Sequence, residues 1–331
     1  MIEFRKVIRD VVEYRYDPLT SEQTRINPAR AKRAKQAESD VDLRDIIGKS
    51  RVNCAFCPER IEEKTPEFPK EICVEGRIRI GETVIFPNLN PFGKHHSVGT
   101  ISKKHFLDLD EFAHGMLRDN LNATKNYIFS VHANDKEAVW PLWLWNYMPP
   151  SAGSIIHPHV QVLVETEPTP EQNKLLEESF RYYTEGRRNY WKDLVEEERK
   201  LDERYIASNS SLSVIAGFAP RGFNEIQFIF SGISSLAELS LEQIDDFADY
   251  LTKVLHGYKE IGIGSFNLAT YSSSIEGKQD HFYWLNAKLI SRPYPKGVYT
   301  SDNGPMERLH DIWVVDTLPE ELSKKMKPFF R

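Results

Sequence analysis

The sequence predicts an α+β fold: antiparallel sheets covered by helices, built from a unit that occurs twice. Three observations carry this. Val160, Val162 and Val164 alternate with His159, Gln161 and Leu163, the period of a strand with two unlike faces. Leu109, Phe112, Met116, Leu117, Leu121, Tyr127 and Ile128 recur at helical spacing. From Ser211 the pattern repeats. Leu239-Ser-Leu-Glu-Gln-Ile-Asp-Asp-Phe247 echoes Leu107-Asp-Leu-Asp-Glu-Phe112, and Phe282-Tyr-Trp284-Leu-Asn286-Ala-Lys288 echoes the strand around His159.

A chain of 331 residues has room for two domains or one large duplicated unit. We divide it into a first half at 1–167, a charged helical connector at 168–210 and a second half at 211–331. Hydrophobic residues at 40% and charged residues at 28% fit a soluble globular protein. A net charge of -6 gives no general attraction to nucleic acid or to an anionic membrane, so neither is expected as a partner. No apolar run reaches the length of a membrane span, and the first ten residues hold no secretory apolar segment. Three cysteines, two of them in Cys54-Ala-Phe-Cys57, fit a reducing cytoplasm better than a disulfide framework.

In chain order, residues 1–22 read as one or two opening strands. A basic run at 25–36 reads by default as a solvated helix face, and the polar stretch 37–50 as a loop. Cys54 and Cys57 can ligate one metal from a tight turn. A redox pair lacks its βαβ context. No second Cys-x-x-Cys exists, so a closed site would need histidine. Cys73, isolated, reads as a small buried hydrophobe. Residues 77–92 read as two strands and a turn ending in Asn88. His95 and His96 lie in a Gly-rich loop without an assigned role. Trp140-Pro-Leu-Trp143-Leu-Trp145-Asn146 is an aromatic strand suited to core packing. Residues 168–206 are helical and solvated, their acids matching their bases.

The stretch Ser151-Ala-Gly-Ser154-Ile-Ile-His157-Pro-His159-Val-Gln161 carries the chemistry. On a strand His157, His159 and Gln161 share one face. Two imidazoles and a carboxamide make a poor core, but they suit a site that grips and attacks a phosphate. Neutral imidazole is a good nucleophile near pH 7. A carboxamide can hydrogen-bond a phosphate oxygen without relaying a proton.

This run resembles the histidine-triad superfamily, in its transferase branch with His-Pro-His-x-Gln. The hydrolase branch has a third His where Gln161 stands. Pro28-Ala-Arg30-Ala-Lys-Arg33 is similar to the Pro-x-Arg-Ala-Lys-Arg stretch of galactose-1-phosphate uridylyltransferases. The resemblance implies a duplicated histidine-triad-type unit with one live half, and a dimer. It implies a nucleotidyltransferase that passes a nucleoside monophosphate between phosphate-type acceptors through an NMP-His159 intermediate. Gln161 and Ser154 would hold phosphate oxygens; Arg30, Arg33, Asn88 and Asn146 would contact the nucleotide. Cys54, Cys57, His105 and His157 would hold a structural zinc ion. Phe86 and Phe92 would flank the base, and Glu307 would meet the acceptor, with Val314 where the family has a Gln. In the second copy Trp284, Asn286 and Lys288 replace His157, His159 and Gln161, so that half lacks the nucleophile and also a second metal's His-x-His, leaving His281 as a remnant. Hexose-1-phosphate uridylyl transfer is the first reading. The alternatives are an adenylyltransferase or phosphorylase working on ADP-glucose or adenylylsulfate with phosphate as acceptor, a nucleotide hydrolase, and a non-catalytic nucleotide sensor.

Overall fold

A computed structural model describes residues 2–33 and 39–331, so the end of the basic run and the start of the polar stretch lie outside the described residues. A small sheet is formed by β1 (Lys6–Arg9), β2 (Val12–Tyr16), β3 (Gln23–Ile26) and β14 (Trp313–Val315). Its last pairing is parallel and ties the two ends of the chain together.

The rest of the strands form one ten-stranded sheet. They are β4 (Ile78–Ile80), β5 (Thr83–Pro87), β6 (His96–Thr100), β7 (Trp140–Tyr147), β8 (His159–Glu165), β9 (Tyr205–Ser208), β10 (Leu212–Ala216), β11 (Phe223–Phe230), β12 (Phe266–Tyr271) and β13 (Asn286–Ser291). The order β4-β5-β6-β8-β7-β12-β13-β11-β10-β9 is the predicted duplication in spatial form. Each half runs through three strands, a long helix and two more strands, with the last strand inserted between the third and fourth. The two fourth strands, β7 and β12, pair antiparallel at the centre. Leu144 and Ala269 face each other there. Leu144 also pairs with Gln161 of β8, and Ala269 with Lys288 of β13, so Gln161 and Lys288 occupy equivalent places.

One face of this sheet is apolar. Trp143, Trp145, Val160, Val162, Phe266, Leu268 and Leu289 are buried in a single core that spans both halves. The covering helices are α3 (His114–Asn134) and α6 (Leu241–Glu260). α6 starts where Ser240 and Gln243 form a reciprocal cap. α3 begins five residues after Leu109, the first of the helically spaced apolar positions, because Asp108 and Glu111 close a separate 3-10 turn over Leu109–Glu111 first.

Three expectations are corrected. Within 37–50, Leu43–Arg51 is a helix, α1, with Asp42 as its N-cap. Its Leu43 and Ile47, four apart, pack against the core, which outweighs the polar composition. A short helix, α2 (Ile61–Lys64), follows the cysteine turn. The connector is helical as expected, in α4 (Pro170–Gly186) and α5 (Tyr190–Leu201), but it is not merely solvated. Leu175, Leu176, Tyr190, Trp191, Leu194 and Val195 build a second core with Ile215, Ile229 and Tyr283. Cys73 is half-buried rather than buried. Near the C-terminus α7 (Pro305–Leu309) and α8 (Pro319–Met326) flank β14.

Candidate active site and metal centre

The polar face of the sheet carries the histidines. β6 and β8 pair in register with Thr100 opposite His159 and Val98 opposite Gln161. Leu144 of β7 pairs with Gln161, and Asn146, two residues further along β7, lies on the same face of the sheet as Gln161 and His159. The loop between these strands is tightly wound. Met148 (φ 70°) and Ala152 (φ 67°) take left-handed backbone without being glycine, a strain that persists only where surroundings enforce it. Gly153 lies where a Cβ would stand 2.9 Å from the Asn146 carbonyl oxygen. Ser154 sits exposed on this loop.

His159 is 9% exposed. Its Nδ1–H donates to the carbonyl oxygen of His157, 2.7 Å away. That bond fixes the tautomer and leaves Nε2 as the free lone pair. Burial holds the imidazole below its usual range, so the ring is neutral near pH 7. The edge of Phe56 packs on it at 5.2 Å between centroids. The ring therefore offers one nitrogen and cannot easily turn.

Behind it stand Cys54, Cys57, His105 and His157, all buried, with ligand atoms within 4.8 Å of one another. Cys57 Sγ is 3.4 Å from His105 Nδ1 and 3.7 Å from His157 Nδ1, and Cys54 Sγ is 3.9 Å from His157 Nδ1. A tetrahedral zinc with its usual bond lengths would set sulfur and nitrogen about 3.5 Å apart. The outer nitrogens are also committed: His157 Nε2–H donates to the Ser102 carbonyl at 2.7 Å, and His105 Nε2 meets Ser50 Oγ at 2.8 Å. Both imidazoles so turn Nδ1 inward, the arrangement that supports metal ligands. Burial and the neighbouring Cys54 push the Cys57 thiol up to about 12, which only a cation in the cluster would reverse. Burial lowers His157 to about 4, leaving it a neutral donor. The four residues fit a metal ion.

Gln161 leans toward β6, where its Oε1 lies 2.8 Å from His96 Nε2. His96, 4% exposed, thus belongs to the site. A lone histidine in a glycine-rich loop carried no sign of it, because only cross-strand register brings the two together. Asn88 follows β5 and lies beside the same ring, its Nδ2 3.1 Å from His96 Nε2. Asn146 accepts a bond from Asn267 of β12 at 2.6 Å, so the second half reaches into the site.

Most of the remaining candidates stand elsewhere. Arg30 is exposed on a 3-10 turn, Pro28–Lys32. Arg33 lines a separate cavity of about 280 Å³ with Arg292, Asp302 and Asp316. Phe92 is exposed and packs on His96 at 4.2 Å, but Phe86 is 2% exposed and covered by Phe56, so it offers no face to a base. Glu307 caps its own helix, accepting from the Gly304 N–H at 2.7 Å.

No family model matches the sequence. A chain of Archaeoglobus fulgidus, described only as an uncharacterized protein, is 33% identical over 327 residues, covering 97% of this chain and 93% of that one. Among solved structures, an ADP-glucose phosphorylase of Arabidopsis thaliana with bound ADP-glucose superposes with a TM-score of 0.75 at 19% identity, over 96% of this chain and 98% of that one. A uridylyltransferase does so with a TM-score of 0.71 at 20% identity, over 96% of this chain and 97% of that one. No helix among the described residues is long and apolar enough to cross a membrane. The chain belongs to the same family as the Archaeoglobus protein, and its fold is that of the Arabidopsis ADP-glucose phosphorylase and of the uridylyltransferase.

Proposed function

We propose that this protein is a nucleotidyltransferase working by two displacements at His159. The observation that carries the reading is the buried His159 ring, tied by Nδ1–H to the His157 carbonyl with Nε2 open. In the first step Nε2 attacks the α-phosphorus of an activated nucleotide. A P–N bond forms, the P–O bond to the leaving phosphate breaks, and its electron pair leaves on that oxygen. The imidazole gains positive charge, which the His157 carbonyl oxygen stabilises through Nδ1–H. Gln161, Asn146 and Ser154 would serve as donors to the non-bridging oxygens. In the second step a phosphate-type oxygen of the acceptor attacks phosphorus, the P–N bond breaks, and Nε2 recovers its lone pair. No proton has to move in either step.

Cys54, Cys57, His105 and His157 would hold zinc as a closed structural centre, and the charge it supplies would keep both thiols ionised. His157 of this centre lies two residues before the strand that carries the proposed nucleophile.

Transfer of a uridylyl group to a hexose 1-phosphate is one reading of the donor and acceptor. Transfer of an adenylyl group to phosphate is the other, favoured by two observations. The Arabidopsis neighbour carries ADP-glucose, and Glu307 is spent on its own helix cap rather than turned to a sugar. Gln161 in place of a third histidine speaks against water as the acceptor. The test is incubation with UDP- and ADP-linked donors, acceptor withheld, and mass measurement of the intact protein. A gain of one nucleoside monophosphate on His159 is expected. Turnover by water without that adduct would make the protein a hydrolase. Nucleotide binding without adduct or turnover would make it a sensor.

A further inference from the structure

Two carboxamides share the face of the sheet that carries His159, Gln161 two residues along its own strand and Asn146 on the neighbouring strand β7. A carboxamide helps a phosphate only if its NH₂ faces the ligand; turned over, it sets a lone pair against the anion. The surrounding donors and acceptors decide which end faces out. Arg292 is donor only, and its Nη1 lies 2.7 Å from Asn267 Oδ1. Asn267 therefore turns its NH₂ the other way, to the Ser151 carbonyl at 2.8 Å and to Asn146 Oδ1 at 2.6 Å. A carbonyl accepts only, which closes the assignment. Asn146 is left with its own NH₂ free. Asp302 holds the origin of the chain through a two-point bond to Arg292, both contacts at 2.7 Å.

Gln161 is set by the same logic from the other side. The Phe92 backbone N–H donates to His96 Nδ1 at 3.3 Å. A neutral imidazole that accepts at Nδ1 carries its proton on Nε2. His96 Nε2–H then donates to Gln161 Oε1, and the Gln161 NH₂ is free. Asn88 Nδ2 meets that nitrogen as donor against donor and makes no bond in this tautomer; its own orientation is set by the Asn90 N–H donating to Oδ1 at 2.9 Å. Burial lowers the His96 pKa, which keeps the ring neutral.

We infer that His96 and the Asn267–Arg292–Asp302 chain are positioning residues that hold the carboxamides of Gln161 and Asn146 with their NH₂ groups toward a phosphate at His159. The inference rests on the nucleotidyl-transfer reading for its ligand, and it gives the second half of the duplication a place in the site. Asn267, Arg292 and Asp302 all come from that half.

Asn267→Asp tests it at constant size. Aspartate can still pair with Arg292, but it presents an acceptor to Asn146 and turns that amide over. The rate of NMP-His159 formation is expected to fall about 100-fold, with the donor's KM changed less than threefold. Asn267→Ala leaves room for water to serve Asn146 and should lose less. A merely structural role predicts the reverse order, truncation being worse than an isosteric change. On the other arm, His96→Gln keeps a donor near Nε2 and should outperform His96→Glu, which keeps only acceptors. Full-rate adduct formation in a folded Asn267→Asp overturns the positioning role and leaves nucleotidyl transfer standing. If the unaltered protein forms no adduct with any donor, the transfer reading falls. Calorimetric affinities for AMP and UMP, weakened tenfold or more by Asn267→Asp, would then still support the orientation of Asn146, and unchanged affinities would remove it.

Discussion

The two halves of the large sheet have one topology and two kinds of polar face. β8 begins with His159, whose Nδ1–H donates to the carbonyl two residues back. β13 begins with Asn286, whose Nδ2 donates to the carbonyl of Trp284, also two residues back, at 3.1 Å. The local bond is kept and the imidazole proposed as nucleophile is gone. Lys288 stands where Gln161 does, and Trp284 fills the place of the ligand His157. Beneath them the apolar faces match: Trp143, Trp145, Val160 and Val162 on one side, Phe266, Leu268, Ala287 and Leu289 on the other, all buried. Burying a large apolar side chain is worth roughly 1.5–3 kcal/mol, so the shared face is enough to preserve the fold. The other face is free to diverge, and under the proposed mechanism it carries the chemistry on one half and support on the other.

The largest effect expected is from making the first half like the second. His159→Asn preserves the Nδ–H donor to the carbonyl and removes the lone pair that attacks phosphorus; His159→Gln removes it as well. Both variants should fold, by circular dichroism, and lose about 10⁴-fold or more in turnover, with no nucleotide adduct. Comparable activity in either would remove the covalent mechanism.

Metal removal should separate the halves in stability. The purified protein is expected to hold one zinc per chain, and either a strong chelator or Cys54→Ser should lower Tm by roughly 10 °C. Hydrogen exchange should quicken first in β6 and β8, which meet the cluster, and least in β11 and β13. Metal analysis showing no zinc, with Cys54→Ser fully stable, would dismiss the centre.

Much of the first half was readable because its signals are local. Alternation in 159–165 names a strand, His-x-His-x-Gln lies within five residues, and Cys54-x-x-Cys57 is a single turn. What escaped depends on distance or on dilution. Asn267 reaches Asn146 across 121 residues, through a pairing of β7 with β12 that no spacing announces. His96 meets Gln161 only through the β6–β8 register. α1 was hidden because three apolar residues, Leu43, Ile46 and Ile47, sit among charges. In α4 and α5 the many charged residues hid a narrow apolar stripe that buries Trp191 and Leu194.

A smaller effect tests whether the second half's pocket takes part. Lys288 lines a cavity of about 290 Å³ with Glu171, Arg221, Glu225, Tyr271 and Trp313. Burial opposes its charge, yet the Glu225 carboxylate and its neighbours hold its pKa above the ordinary value, so it is an ammonium across the working range of pH. Lys288→Gln restores the residue of the first half. Adduct formation should be unchanged and stability should move by about 1 kcal/mol or less. A tenfold loss of rate would mean that the second pocket contacts a substrate, and the division into reacting and supporting halves would fail.

The smallest effect concerns Glu307, where structure and resemblance assign different tasks. Its carboxylate accepts from the Gly304 N–H at the start of a five-residue helix, and glycine has no side chain to return the bond. Glutamine serves that cap nearly as well as glutamate, so Glu307→Gln should leave Tm unchanged. Alanine cannot serve it, and Glu307→Ala should cost about 0.5–1 kcal/mol. The two substitutions therefore separate cap from acceptor site. If a second subunit brings Glu307 to a sugar acceptor, Glu307→Gln should slow transfer from NMP-His159 to a hexose 1-phosphate by roughly tenfold, since a charge-assisted bond to a hydroxyl is lost. Formation of the intermediate, which involves no acceptor, should keep its rate. Transfer to inorganic phosphate should keep its rate too. If both half-reactions are untouched by Glu307→Gln while Glu307→Ala still lowers Tm, the residue is a helix cap alone, and phosphate becomes the better-supported acceptor.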